Sequence, residues 1–306
     1  YNAYRASFDR NQAAALALVL VLVTVLVLYF ESKARGQTFA TGKIASRLGL
    51  VELGAWKIPM FLLLVGLATV SLLVPFGSLL NWSIQGFGSV DWSAVLGALA
   101  NSVGLAVSGG LLTSFAALAI AVLTIRHRRK LTSVLERSVW LTHATPGIVV
   151  ALSLVFFSNQ IVPWIYQTTL LVLIAYLALF LPNALAAVST PIRQSPRALD
   201  EVSSSLGLST MQTLRKVVLP IAGPGIFAAT TLVILTVLKE LPATLLLRPT
   251  GMETLATRLW TETSVAAFSA AAPYALLLVV LAGFPAWLLN RAIRKDLEPM
   301  EMERYQ

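Results

Sequence analysis

The 306-residue sequence contains no cysteine. That excludes disulfides, thiolate metal sites and cysteine nucleophiles. Histidine is almost as scarce. His127 and His143 are the only two, too few for a histidine-rich metal cage. Charge is thin as well: 12% of residues are Asp, Glu, Lys or Arg, about half the roughly 25% of a soluble domain. Positions 138–192 contain none of the four. Apolar residues take their place, at 57% hydrophobic and a mean hydropathy of +0.78. The length would suit two soluble domains, but this composition reads as an all-α polytopic membrane protein.

A helical span needs about 20 mostly apolar residues. Seven stretches qualify, roughly 13–30, 58–80, 95–125, 138–158, 165–190, 221–246 and 273–290. The uncharged run 138–192 is too long for one helix, and Asn159, Gln160 and Pro163 mark its break. The first stretch does not read as a signal peptide. No small-residue cleavage site follows Phe30; Lys33 and Arg35 follow instead, as a stop-transfer flank does.

The net charge of +9 resembles that of a nucleic-acid binder, but its placement gives it another meaning. The alternate connections 31–57, 126–137 and 191–220, with the tail after 290, hold 18 of the 23 basic residues. Arg5, Arg10, Lys239, Arg248 and Arg258 fall on the other side. Basic residues collect on the cytoplasmic side of a membrane protein. The expected orientation is therefore N-terminus outside and C-terminus in the cytoplasm, with no nucleic acid as partner.

No catalytic motif is present. Gly36 to Ile44 approaches a phosphate-binding P-loop, but its glycine spacing is one residue too long and Ile44 cannot ligate magnesium. It reads as a polar linker. There is no Gly-x-Ser-x-Gly elbow and no His-Glu-x-x-His pair. No catalytic and no metal-ligating residues are assigned. Ionisable groups inside the spans, which ion-coupled carriers keep for function, are also nearly missing. Lys239 and Glu240 sit near the outer end of 221–246, as interfacial anchors or as lining of a pathway. His143 reads as a packing histidine. A secondary carrier is accordingly the weaker alternative.

The most informative segment is 197–220. Pro196 sits where a helix starts comfortably. Ala198–Leu206 has Asp200 and Glu201 near its N-terminus, where the helix dipole favours acids. Gly207 is a helix stop, Ser209 can cap a second helix over 210–218, and Pro220 opens the next span. The expectation is a helix–glycine–helix lying at the cytoplasmic face.

This segment resembles the EAA loop of ABC-importer transmembrane permeases. Glu201-Val202-Ser203, then Gly207, then Val217-Val218-Leu219-Pro220 fit its spacing, with Val202 and Ser203 in place of two alanines and Val217 in place of isoleucine. The resemblance implies a binding-protein-dependent importer subunit of type I fold in a bacterial plasma (inner) membrane. Its six-helix core would span 58–295, with a coupling loop over 197–220 built on Asp200, Glu201, Ser203, Gly207, Leu219 and Pro220. ATP and magnesium would be bound by separate ATP-binding cassette subunits, with no cofactor in this chain. A periplasmic binding protein and a second permease half would complete the assembly.

Further stretches are similar to iron(III) transport permeases. They are Trp92 with Asn101-Ser102, Pro146 to Leu152, Phe180-Leu-Pro-Asn183, and Lys239-Glu-Leu-Pro-Ala-Thr-Leu-Leu-Leu-Arg-Pro-Thr-Gly251. Permeases for thiamine, polyamines and phosphonates share parts of these, so the substrate is expected to be ferric iron or one of those. Candidate path residues are Asn101, Ser102, Ser108, Thr113, Asn183, Lys239, Glu240 and Thr244. Gly97, Gly104, Ser108 and Gly109 are expected at close helix contacts as the alternative role. In segment 248–264, Leu255, Leu259 and Thr263 share a helical face, leaving Glu253 and Arg258 free to face outward. Arg248, Glu253, Arg258 and Glu262 are the candidate binding-protein contacts. Region 1–57 adds a helix to the six-helix core. It reads either as the end of a preceding permease half or as part of a seven-span subunit, and 296–306 reads as a cytoplasmic tail.

Overall fold

Trp92 opens a 35-residue helix because Asp91 caps it. The Asp91 carboxylate accepts from the Ser93 hydroxyl at 2.6 Å and from the Ser93 and Ala94 amides at 3.0 and 3.2 Å. The Ser93 hydroxyl above all holds this carboxyl below its ordinary 3.8. The cap therefore stabilises the folded state above that value and loses its effect as pH falls through the lowered one. The helix, α2 (Trp92–Arg126), is the spine of the fold. The computed structural model describes residues 54–126, 145–196 and 198–283, plus isolated helical positions within 19–26 and 132–140. His127, His143, Arg197, the linker, the tail and most of the 13–30 span lie outside the described residues.

Around α2 stand α1 (Lys57–Gly86), α3 (Gly147–Ile161), α4 (Thr169–Gln194), α5 (Ala198–Ser205), α6 (Thr210–Thr213), α7 (Leu219–Leu238), α8 (Pro242–Leu247), α9 (Leu255–Ser264) and α10 (Phe268–Gly283). A π turn over Leu214–Val218 joins α6 to α7. No strand occurs among the described residues. Among the described residues four helices are long and apolar enough to cross a membrane: α1 with its flanking turns, α2, α4 and the continuous helix 210–238. Two more, α3 and α10, are apolar but shorter.

Helices α2, α4 and α7 pack on one another, and small residues let them come close. Ala106, Ala117 and Ala121 of α2 meet Ala175, Ala184 and Val188 of α4 and Ala222, Ala229 and Val233 of α7 in one core. A Cβ on Gly110 would lie 2.4 Å from Ile234 Cγ1, and one on Gly109 would lie 2.7 Å from the Tyr176 ring. The close contact expected at Gly109 is present. Those expected at Gly97 and Gly104 are not, since nothing lies within 4 Å of either position. The helix simply turns its 109–110 face inward and its 97/104 face outward. Along α1 only Gly86 is buried. Its end meets α10, where Trp82 stacks on Phe268 with ring centroids 4.8 Å apart.

Two expected spans are broken. The span 221–246 ends as a helix at Leu238, because the Pro242 ring would collide with the carbonyl four residues back. Segment 138–158 is not one helix either. Pro146 is extended (ψ 140°) and α3 begins only at Gly147. The break near Asn159 to Pro163 falls as expected, with α3 ending at Ile161 and α4 starting at Thr169.

Candidate functional site

The first helix, the glycine stop and the second cap in 195–220 fold as the sequence predicts. The helix α5 starts two residues after Pro196 and stops at Ser205. Gly207 then takes φ +77°, and two bonds close the turn: Gly207 N–H to the Ser204 carbonyl and Leu208 N–H to the Ser203 carbonyl, both 3.0 Å. This is a Schellman closure, which satisfies carbonyls that the helix end would otherwise leave open. Ser209 caps α6 in a reciprocal box with Gln212. The second helix does not stop at Val218. It runs through the π turn into α7, with Leu219 half-buried and Pro220 exposed at the joint.

The two acids of this loop part company. Glu201 is exposed. Asp200 turns back onto α2 and forms an ion pair with Arg126, whose side chain is only 7% exposed. Arg126 also donates to the Ser195 carbonyl at 3.3 Å. Ser203 is buried and donates to the Leu199 carbonyl. A cleft of about 460 Å³ lies beside the pair, lined by Val122, Arg126, Asp200, Leu208, Met211 and Leu214. On the same loop Val202, Leu206 and Met211 are 57%, 76% and 70% exposed, so it carries bare apolar side chains as well as Glu201.

At the break after α7, Lys239 is exposed and Glu240 is half-buried. The Glu240 carboxylate accepts from the Ala243 and Thr244 amides, each at 2.9 Å, and from the Thr244 hydroxyl at 2.7 Å. With the Thr244 proton committed there, Tyr176 donates its hydroxyl to Thr244 at 2.6 Å. A Cβ on Gly147, the first residue of α3, would lie 3.5 Å from Glu240 Oε1. One carboxylate thus stands at the starts of both α8 and α3, where the dipoles favour it. It holds a break in the helix, a structural role for Glu240 beyond the two read from the sequence. Asn183 is exposed on α4, and Thr113 is fully buried with an unpaired hydroxyl.

The segment 248–264 is a turn and a helix. Gly251 (φ +79°) completes the turn Pro249–Met252. Arg248 pairs with Glu253 at 2.5 Å and donates to the Met252 carbonyl. Thr254 caps α9 in a box with Thr257, and Glu253 accepts from the Thr257 hydroxyl at 2.8 Å. Glu253 is therefore engaged within the segment and not free to face outward. Arg258 sits 3.6 Å from Glu262 along α9, both partly exposed. Asn101 and Ser102 of α2 hold this segment. Asn101 Nδ2 donates to the Glu253 carbonyl at 2.9 Å, and Ser102 Oγ accepts from the Leu255 amide at 2.7 Å.

Sequence reasoning missed Arg126, Tyr176, Leu206 and Met211. Arg126 was legible only as the first charge after a long apolar run.

The model of the family described as "binding-protein-dependent transport system inner membrane component" matches residues 109–295. The chain is 36% identical over 298 residues to the Fe(3+)-transport system permease protein FbpB 2 of Haemophilus influenzae, an alignment covering 95% of this chain and 59% of that protein. It is 28% identical over 197 residues to the 2-aminoethylphosphonate transport system permease protein PhnV of Salmonella typhimurium, covering 64% of this chain and 70% of that one. The chain thus spans about three-fifths of the length of the Haemophilus relative. In fold it is similar to the inward-facing MetNI methionine ABC transporter, with TM-score 0.50 and 22% identity, covering 65% of this chain and 95% of that chain. The matched region holds the second half of α2, all of the 195–220 loop and the 239–264 segment, so this chain belongs to the family of binding-protein-dependent transport system inner membrane components.

Proposed function

We propose that the chain is the permease subunit of an ATP-binding-cassette importer that carries ferric iron. A periplasmic binding protein delivers the iron, and separate ATPase subunits drive its passage. One observation carries this reading. The 195–220 loop is a capped helix–glycine–helix at one end of the core, presenting Glu201 beside exposed Val202, Leu206 and Met211. Large apolar side chains left exposed together with polar groups on one short loop suit a protein partner. In this reading the ATPase docks there, on the basic, cytoplasmic side, with the N-terminus outside and the C-terminus inside. Segment 248–264 then faces the binding protein. The six-helix unit 58–295 pairs with a second permease half, region 1–57 contributes an added helix, and 296–306 forms a tail. ATP and magnesium belong to the ATPase subunits.

Iron is favoured because the Haemophilus relative named for Fe(3+) transport aligns over nearly the whole chain. A phosphonate substrate is the second reading, supported by the PhnV likeness. Exposed Lys239 and Asn183 are the path candidates with side chains least engaged within the chain, whereas Asn101, Ser102 and Thr244 spend theirs on neighbouring segments. The test is reconstitution of the chain in vesicles with its ATPase and binding protein. ATP-dependent uptake of radiolabelled ferric iron, unaffected by excess 2-aminoethylphosphonate, is the expected result. Uptake of the phosphonate alone moves the substrate assignment. Failure to co-purify with any ATPase subunit ends the importer reading.

In the same vesicles Arg258→Glu is expected to cut the stimulation of ATPase activity by loaded binding protein by up to about fivefold. That corresponds to the roughly 1 kcal/mol scale of an exposed ion pair. Unchanged stimulation would leave α9 as a plain solvated helix.

A further inference from the structure

We propose that α2 is a stiff tie between the two ends of the molecule, and that Arg126 is the positioning residue that fastens it to the 195–220 loop. At one end, Arg126 holds both sides of the turn leading into α5, through the Asp200 carboxylate and the Ser195 carbonyl. At the other end, Asn101 and Ser102 hold the backbone of Glu253 and Leu255. Val95 and Ala98 of α2 pack against Leu255 and Tyr274 there. Ser102 and Arg126 are 24 residues apart on one helix, about 36 Å along its axis at 1.5 Å per residue. That exceeds the roughly 30 Å hydrocarbon core of a bilayer, so the two fastenings stand near opposite membrane faces.

The alternative routes are more compliant. The loop continues directly into α7, but that path passes through a π turn and Pro224. Helix α4 contains Pro182 and Pro191, and α1 contains Pro75. Among the four membrane-length helices described, α2 alone has neither proline nor a π turn. Its glycine pair at 109–110, the natural place for it to bend, is wedged against Tyr176 and Ile234. Prolines and π turns are where helices bend, so displacement of the loop reaches the 248–264 segment most directly through α2. The side chain of Arg126 is almost wholly enclosed. Removing either partner of such a pair leaves the other charge uncompensated, while exchanging the two preserves it.

This inference rests on the importer reading above, and its test separates the two. The assembled complex of the chain with its ATPase subunits is assayed for ATP hydrolysis with and without loaded binding protein. The readout is the ratio of the two rates, because loss of folded complex lowers both together and leaves the ratio unmoved. Arg126→Glu and Asp200→Arg are each expected to reduce the ratio at least about tenfold. The double exchange is expected to restore it to within about threefold of the parent. Ser102→Ala, at the far end, is expected to lower the same ratio. If the single variants do not assemble, assembly becomes the readout: recovery in the double exchange supports the tie, and continued failure overturns it. Parental ratios in both single variants, or a double exchange no better than either, also overturn it. A parent complex that shows no stimulation at all counts against the importer reading instead.

Discussion

Gly207→Val is expected to abolish ATP-driven uptake while leaving membrane insertion unchanged. The backbone at 207 has φ +77°. A residue with a Cβ there costs roughly 1–2 kcal/mol, and a β-branched one is a true outlier. No neighbouring atom lies within 4 Å of a Cβ at this site, so the penalty is conformational and not a clash. If the turn relaxes to negative φ, the Ser203 and Ser204 carbonyls lose their amide partners and α6 leaves in a different direction. A total near 2–3 kcal/mol shifts the turn population by about 30- to 150-fold, and coupling should fall with it. Asparagine tolerates this conformation far better, so Gly207→Asn should keep most of the activity. The pair is checked by immunoblot of membranes and by uptake in the same vesicles. Normal uptake by the valine variant would remove the loop from the mechanism.

Glu240→Ala should be the most damaging single change to the folded core. It removes the acceptor for two amides and one hydroxyl at once. An unsatisfied buried donor costs about 1–3 kcal/mol. The three overlap, so a total near 3–5 kcal/mol is expected. Glu240→Gln keeps one oxygen but directs an NH₂ group at the Thr244 amide, so it should fall between alanine and the parent. Tyr176→Phe removes only the outermost link of the chain and should cost about 1 kcal/mol. Thermal unfolding in detergent, followed by tryptophan fluorescence, orders the three variants. An alanine variant that melts with the parent would show that the carboxylate does not hold the break.

What could be read from the sequence was local. The start after Pro196, the stop at Gly207 and the cap at Ser209 each depend on residues within three or four positions of one another, and each is found where it was expected. The break after α7 was also present in the sequence, as Pro242. Apolarity continues through it, however, and a hydropathy window sees no interruption. The pairing of Arg126 with Asp200, 74 positions apart, has no sequence signature at all. It depends on which way the end of α2 faces once α4 and α7 have packed against it. The same applies to Glu253. Helical spacing placed it on an outward face, but the turn at Gly251 brings Arg248 within reach and ties it inward.

The π turn at Leu214–Val218 has a consequence for chain length. A π turn holds one residue more than an α turn. Deleting one residue there lets the turn close as an ordinary α turn, and every side chain from Leu219 onward keeps its phase. The same deletion inside α7 would rotate all later positions by about 100°, carrying Val233 and Val237 out of the core. The joint between loop and core is thus a slack link, where the chain can shorten by one residue without rewriting the packing beyond it.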